Sequence, residues 1–298
     1  RAQLAKELEP GLNALFGLEF GRYENEHSEI FEEESSDRAF EEEVMLGGFA
    51  TAPVKSEGGA VSFDDAQETY TARYTHETIA LAFSITEEAI EDNLYDRLAS
   101  RYTKALARSM ATTKQIKAAS ILNNAFLTGA NVIGDGAALC SASHPSLSGT
   151  QTNLLAVAAD LNETSLEQML IDIAGFTDER GLKIAVRGTK LIIPKELQFI
   201  AERVMNSALR SGTSDNDNNA MKNMGMLPEG AVVNHYLTDT DAYFIKTDAP
   251  NGFKYFNRAA IKTAMEGDFD TGNMRFKARE RYSFGVSDWR CVFGTPGA

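Results

Sequence analysis

Apolar residues recur at helical spacing over residues 4–16 (Leu4, Leu8, Leu12, Leu15, Phe16), which predicts a short amphipathic helix broken at Pro10 and closed by Gly17. Residues 19–43 are then crowded with Glu, with isolated apolar anchors at Ile30, Phe31 and Phe40. Such a segment buries no core by itself; it either stands in solvent or lies along another surface. From residue 47 to 83 the pattern is glycine-punctuated β, with residues 53–59 (PVKSEGG) as a loop. Tyr70, Ala72 and Tyr74 share one face of an alternating run, whereas Ile79, Leu81, Phe83 and Ile85 share the other, so the apolar phase flips near His76. A strand that changes its buried face passes between two environments. We read a long hairpin that leaves the body of the molecule and rejoins it, with a tip too poor in apolar residues to fold without a partner.

The strongest pattern follows. Ser84 with Glu87 fits a capping box, and Ile90, Leu94, Leu98, Leu106, Met110, Ile121 and Leu127 continue a helical period with no proline. Acids crowd the first turns (Glu87, Glu88, Glu91, Asp92) and Arg101, Lys104, Arg108, Lys114 and Lys117 the rest, in the sense the helix dipole favours. A helix of roughly 40 residues reaches ~60 Å, more than the ~50 Å across a compact globule of this length. Either it kinks, near Ala111, Thr112 and Thr113, or the molecule is elongated around it. Residues 128–153 form a long Gly-, Ser-, Ala- and Thr-rich connection. Beyond it the pattern alternates: a helix at 163–178, a strand at 189–193, a helix at 195–209, a polar loop at 211–219, and strands at 231–236 and 242–246. The chain returns to β from Phe253, ending in a strand at 274–286.

The 298 residues carry a formal charge of −14, and 43% are hydrophobic, enough for a proper core. The net field repels polyanions, so contact with nucleic acid would need a local patch. No stretch approaches the ~20 apolar residues of a membrane span, and residues 1–6 contain no signal-peptide run. Two cysteines, Cys140 and Cys291, make no disulfide framework and fit a reducing compartment or indifference to redox state. The chain begins at Arg1, as a trimmed or a processed product would.

Searches for catalytic signatures fail in informative ways. His76 and Glu77 open a zincin-like pattern, but Ala80 stands where the second His belongs. Cys140 and His144 lack a second ligand pair. Asp215, Asp217 and Asn219 imitate the start of a calcium loop, whose required Gly and Glu are Ala220 and Met226. Ser141 and Ser143 stand near His144 without a nucleophile elbow or an evident orienting acid, and Gly134 and Gly136 follow no clear strand and come with no Walker lysine. Neither a cofactor nor a catalytic residue is assigned. The feature that stands out is near the end: Arg275, Lys277, Arg279 and Arg281 alternate with Phe276, Ala278, Tyr282 and Phe284, placing four cations on one strand face and an apolar surface, interrupted by Glu280, on the other. In an acidic chain this stripe is an exposed face with internal ion pairs, a dock for an acidic segment of a neighbouring copy (Glu32, Glu33 and Glu34, or Asp64 and Asp65), or a contact for packaged nucleic acid.

The hairpin and long helix, ALCSASHPSLSGTQTN (138–153), the A-E-R of 201–203, DNDNNAMKNMGMLPEG (215–230) and MEGDFDTGNMRFKARERYSFGVSDWR (265–290) together resemble the major capsid proteins of tailed bacteriophages. The resemblance covers most of the chain. It implies the α+β fold first named from phage Hong Kong 97, with an N-terminal arm (1–46), an extended β-hairpin loop (47–80), a peripheral domain with a long spine helix (81–152), an axial domain (153–247) and a return to the peripheral domain (248–298). It further implies a non-enzymatic subunit that assembles with itself into pentamers and hexamers of an icosahedral shell in the host cytoplasm. Such a shell encloses double-stranded DNA without reading its sequence; scaffold, maturation protease, portal and decoration proteins are partners and a membrane is not. Glu32, Glu33, Glu34, Lys55, Asp64, Asp65, Arg275, Lys277, Arg279 and Arg281 are then expected at subunit interfaces, and Asp215, Asn216, Asp217, Asn218 and Asn219 in a loop near the capsomer axis. A start at Arg1 resembles a subunit whose scaffolding portion has been cut off. Some relatives cross-link a loop lysine to an asparagine through a buried Glu; Lys55 lies in the corresponding loop, with Asn257 or Asn273 as acceptor, although Ser56, Glu57 and Gly58 make that loop look solvated. An encapsulin-like compartment of the same fold and, from another class, a carboxylate-dependent hydrolase remain the alternatives.

Overall fold

The computed structural model describes residues 2–91, 95–129, 133–209, 218–268 and 271–298. Helix α1 (Ala2–Phe20) continues through Pro10 and Gly17, where the sequence predicted a break and an end. The reason is its apolar stripe: Leu12 and Phe16 are buried, and Phe20 stacks on Phe16 with ring centroids 5.8 Å apart, so packing outweighs the local cost of both residues. The acidic segment is no free tail. It makes a 3-10 turn at Glu26–Glu29, buries Ile30 and Phe31, and forms strand β1 (Glu32–Ser35). Strand β2 (Phe40–Gly47) pairs with β3 (Gln67–Thr75), and β4 (Glu77–Ile85) follows. The phase flip at His76 separates β3, in a two-stranded ribbon, from β4, in another sheet.

The spine is α2 (Glu87–Glu91) and α3 (Tyr95–Asn123); Leu94, part of the predicted period, lies outside the described residues. Ser84 sits in β4 rather than at a cap, and Thr86 takes that role, its Oγ1 accepting from the Ala89 amide at 3.4 Å. The 29 residues of α3 span about 44 Å, and helical structure runs unbroken through the predicted kink at 111–113. A small hairpin, β5 (His144–Ser146) and β6 (Gly149–Gln151), interrupts the long connection. Then come α4 (Glu163–Ala174), β7 (Gly188–Ile193), α5 (Gln198–Asn206), α6 (Ala220–Met224), β8 (Ala231–Val233), β9 (Tyr243–Thr247), β10 (Phe253–Gly267), β11 (Met274–Val286) and β12 (Val292–Thr295). Asn162 and Ser165 cap α4 reciprocally, and the helix stops four residues before its predicted end, where Phe176 turns in against Trp289.

The chain forms two compact units. The first comprises Arg1–Phe40, Thr75–Ala118 and Tyr255–Phe284. Its sheet has the order β1-β10-β11-β4, with β11 antiparallel to β4 from Met274↔Ile85 to Tyr282↔Glu77. One sheet face packs on α1 and α3 through Leu12, Phe16, Leu106, Ala107, Met110, Phe276 and Ala278. The second unit comprises Glu41–Tyr74, Ala119–Lys254 and Gly285–Ala298. Its sheet has the order β12-β9-β7-β8, antiparallel except for the β7–β8 pair, and its core is built from Leu166, Met169, Ile173, Leu191, Ile192, Tyr243, Phe244 and Phe293.

Candidate assembly surfaces

Two buried polar constructions lock these units and account for several residues that drew chemical suspicion. In the first unit Glu280, the acid that interrupts the apolar face of β11, is 2% exposed at its side chain and meets Lys114 Nζ of α3 at 2.7 Å. The ammonium also lies 5.3 Å from the Phe20 and Tyr282 ring centroids and 5.8 Å from that of Tyr255. Burial pushes the Glu280 carboxyl above the usual carboxylate range, and Lys114 pulls it back. In the second unit His144 is fully buried, its ring stacked on Trp289 with centroids 4.5 Å apart. Its Nδ1 meets Asp135 Oδ2 at 2.7 Å and its Nε2 meets Asn153 Oδ1 at 3.0 Å. The Asn153 amide donates to the carbonyls of Leu139, Trp289 and Val292, tying the long connection to the last strand. Gly134 sits so close to β3 that a Cβ there would lie 2.2 Å from the Thr71 oxygen.

Both ring nitrogens of His144 are thus occupied, and neither Ser141 nor Ser143 is hydrogen-bonded to it; the Ser141 hydroxyl accepts from the Ser143 amide. This is a packed clasp, not a nucleophile and its base. Cys140 is buried, which pushes its thiol well above the ordinary value. Among the described residues no group of three or more His, Cys, Asp or Glu is placed to hold a metal ion, and no helix is long and apolar enough to cross a membrane.

The surfaces are more telling. On β11, Arg275, Lys277 and Arg279 are exposed and alternate with buried Phe276, Ala278 and Glu280, and Arg281 is half-buried. Arg275 is neutralised within the chain by Asp268 at 2.5 Å, whereas Lys277 and Arg279 make no ion pair among the described residues. Their cross-strand partners on β4 are Ala82 and Ala80, so the cations flank a shelf of small side chains with no acid in it. In the second unit the 48–66 segment joining β2 to β3 contains almost no regular structure. Val54 is completely exposed, Phe63 is 95% exposed, and Phe49 and Val61 are also uncovered. Asp64 serves the hairpin itself: its carboxylate accepts from the Ala50 amide at 2.8 Å, which, with Arg180 nearby, holds its carboxyl below the usual range. Arg180 also donates to the Asp65 carbonyl at 2.9 Å. Lys55 is exposed in the same segment.

Glu32, Glu33 and Glu34 lie on β1, with Glu33 accepting from the Asn257 side chain at 3.2 Å. Asp215, Asn216 and Asp217 lie outside the described residues. Asn218 is exposed and bridges to Leu209, but Asn219 is buried as the N-cap of α6, donating to the Val204 carbonyl at 2.7 Å, and is not a loop residue facing solvent. Sequence reasoning missed the apolar tip. Its signal is Phe63 standing alone between Ser62 and Asp64, an aromatic with no periodic partner.

A family model described as phage capsid protein matches residues 69–294. The chain belongs to the phage capsid protein family. It is a major capsid protein, a subunit of an icosahedral shell, with the Hong Kong 97-like α+β fold. No curated protein matches it. Among solved structures, this capsid protein is similar to the capsid of an empty GTA particle (TM-score 0.58, 11% identity, 93% of this chain and 91% of that one). It is also similar to the capsid of cyanophage P-SCSP1u (TM-score 0.57, 11% identity, 90% and 86%) and to a virus-like particle from Pyrococcus furiosus (TM-score 0.54, 10% identity, 95% and 97%). At these identities the likeness is one of fold. The family places the protein in the virion, as a structural component that associates with copies of itself.

Proposed function

We propose that this capsid protein forms pentamers and hexamers that close around double-stranded DNA, and that closure is driven by the 48–66 tip of one copy lying on the β4–β11 shelf of the next. The carrying observation is that Val54 and Phe63 are 100% and 95% exposed on a segment with no core of its own. Covering a Phe or Val side chain is worth about 1.5–3 kcal/mol, so repetition around a shell makes a modest contact decisive. Lys277 and Arg279 supply attraction for the acids of the incoming copy, among them Asp65 and Glu57 and the Glu32–Glu34 run. Lys55 rides on the same tip; it packs at the interface and needs no cross-link. The subunit performs no catalysis. It assembles in the host cytoplasm, with a scaffold, maturation protease, portal and decoration proteins as transient or accessory partners.

Deleting residues 51–63 is expected to leave folded subunits or capsomers and no shells, and particles of wild-type size from that variant would refute the role of the tip. Reversing Lys277 and Arg279 to Glu is expected to block closure, and normal shells would show the stripe to be idle. The likeness to the Pyrococcus furiosus virus-like particle is one of fold and does not favour a protein-filled compartment over a shell around DNA. Particles whose extracted contents are protein without DNA would support the compartment over the shell around DNA.

A further inference from the structure

Helix α5 presents two dissimilar sides. Glu196 in the preceding turn, Phe199 and Arg203 follow one another at i, i+3 and i+7, one stripe of a helical surface. All three are exposed, and Phe199, at 70%, is a large aromatic knob in open solvent. Arg203 is held beside it by a 3.1 Å hydrogen bond from Nε to the Phe199 carbonyl. An adjoining face of α5 opens on a cavity of about 470 Å³ whose apolar wall includes Met205, Met221 and Leu227 and whose rim carries Glu202 and Lys222. The left-handed Gly225, φ 58°, ends α6 and turns the chain so that Leu227 comes back as part of that wall.

The knob stands in solvent outside the cavity, about a quarter-turn round the helix from the residues that line it, so a single chain does not join them. Two copies can, and the contact is head-to-tail: each subunit gives its knob to one neighbour and its hole to the other. Such an interface closes into a ring when its rotation allows. Charge agrees with this pairing: Glu196 is already paired with Lys195 at 3.3 Å, which leaves Arg203 beside the knob to meet Glu202 on the rim. We propose that Phe199 of one subunit seats in the Met205–Met221–Leu227 cavity of the next copy of this chain, and that this knob-in-hole contact closes the capsomer ring. The proposal rests on the shell reading above and names the contact that forms its rings.

Paired cysteines test it directly. Positions 199 and 205 are six residues apart on one helix, about 9 Å along its axis, beyond the ~7 Å that a disulfide spans. Cys140 and Cys291 are 3% and 1% exposed and do not compete. Mild oxidation of assembled Phe199→Cys/Met205→Cys is expected to give a ladder reaching five or six chains on a denaturing gel, while each single variant stays at one chain. Phe199→Asp, at an exposed site, is expected to keep the circular dichroism of the native subunit and to lower the yield of capsomers at least tenfold. Particles from the cysteine pair with no ladder, or wild-type assembly by Phe199→Asp, overturn the knob contact and leave the shell reading standing. A wild-type chain that never assembles overturns both.

Discussion

Replacing Lys114 by Met tests the buried pair at the centre of the first unit. Glu280 is 2% exposed at its side chain, Lys114 is 13% exposed, their charged atoms are 2.7 Å apart, and Glu280 Oε1 has no hydrogen-bond partner among the described residues. Without the ammonium the carboxylate is buried with no compensation, which costs about 3–5 kcal/mol; losing the three ring contacts adds some tenths to about 2 kcal/mol. Set against a typical ~5–15 kcal/mol for a whole domain, the loss is large. Glu280→Leu together with Lys114→Met removes both charges and is expected to lie near wild-type stability or above it by about 1–4 kcal/mol. The pH sense also follows. Burial raises the Glu280 carboxyl, so the folded state holds its proton to higher pH than the unfolded chain. The penalty is therefore full above the folded value and relieved as pH falls toward the unfolded one. Losing Lys114 removes its downward pull, so the Lys114→Met deficit should shrink on acidification. Urea unfolding of dissociated subunits, followed by far-ultraviolet circular dichroism at several pH values, measures this. A Lys114→Met cost under about 1 kcal/mol, or a deficit that grows on acidification, would mean that Glu280 does not depend on Lys114 for its charge.

Asn153→Ala should destabilise the second unit by more than an ordinary surface change, about 3 kcal/mol or more, because it removes the Asn153 bonds to the Leu139, Trp289 and Val292 carbonyls and to His144; thermal unfolding of the unassembled chain reads it. His27 is buried edge-on against the stacked rings of Tyr255 and Phe284, and burial, aided by nearby Lys114, lowers its pKa against the opposing pulls of Gln115 and Glu33. The unfolded chain therefore takes up a proton near pH 6.5 that the folded state resists, so this group withdraws stability as pH falls below that value. His27→Phe is expected to flatten the slope of unfolding free energy between pH 7 and 5.5; an unchanged slope would show that His27 does not set it.

Much of the fold was legible because strong periodicity and tertiary packing agree. Tyr70, Ala72 and Tyr74 against Ile79, Phe83 and Ile85 announced a strand entering a new sheet, and that is where β3 ends and β4 begins. The cationic stripe of β11 was visible from period two alone. The misses occur where packing overrides local signals. Pro10 and Gly17 read as breakers, yet Leu12, Phe16 and Phe20 hold the helix together across them. The Glu-rich segment read as solvated, but Ile30 and Phe31 anchor it and let β1 pair with β10. Ser84 with Glu87 read as a capping box, and it is the run of β4 to Ile85 that moves the cap to Thr86. Glu280 looked like an interruption because its partner Lys114 is far away in sequence. The tip and the knob of α5 were hidden for a different reason: an isolated aromatic carries no period, and its meaning appears only when its exposure is known.

The most direct measurement is the size of the purified full-length chain in solution, by light scattering with electron microscopy, over a range of protein concentrations. Closed particles of many chains are expected, with the 48–66 tip protected from protease only in the particle. A chain that keeps single-subunit mass at high concentration, with Phe63 and Phe199 equally protected in that monomer, would contradict that expectation.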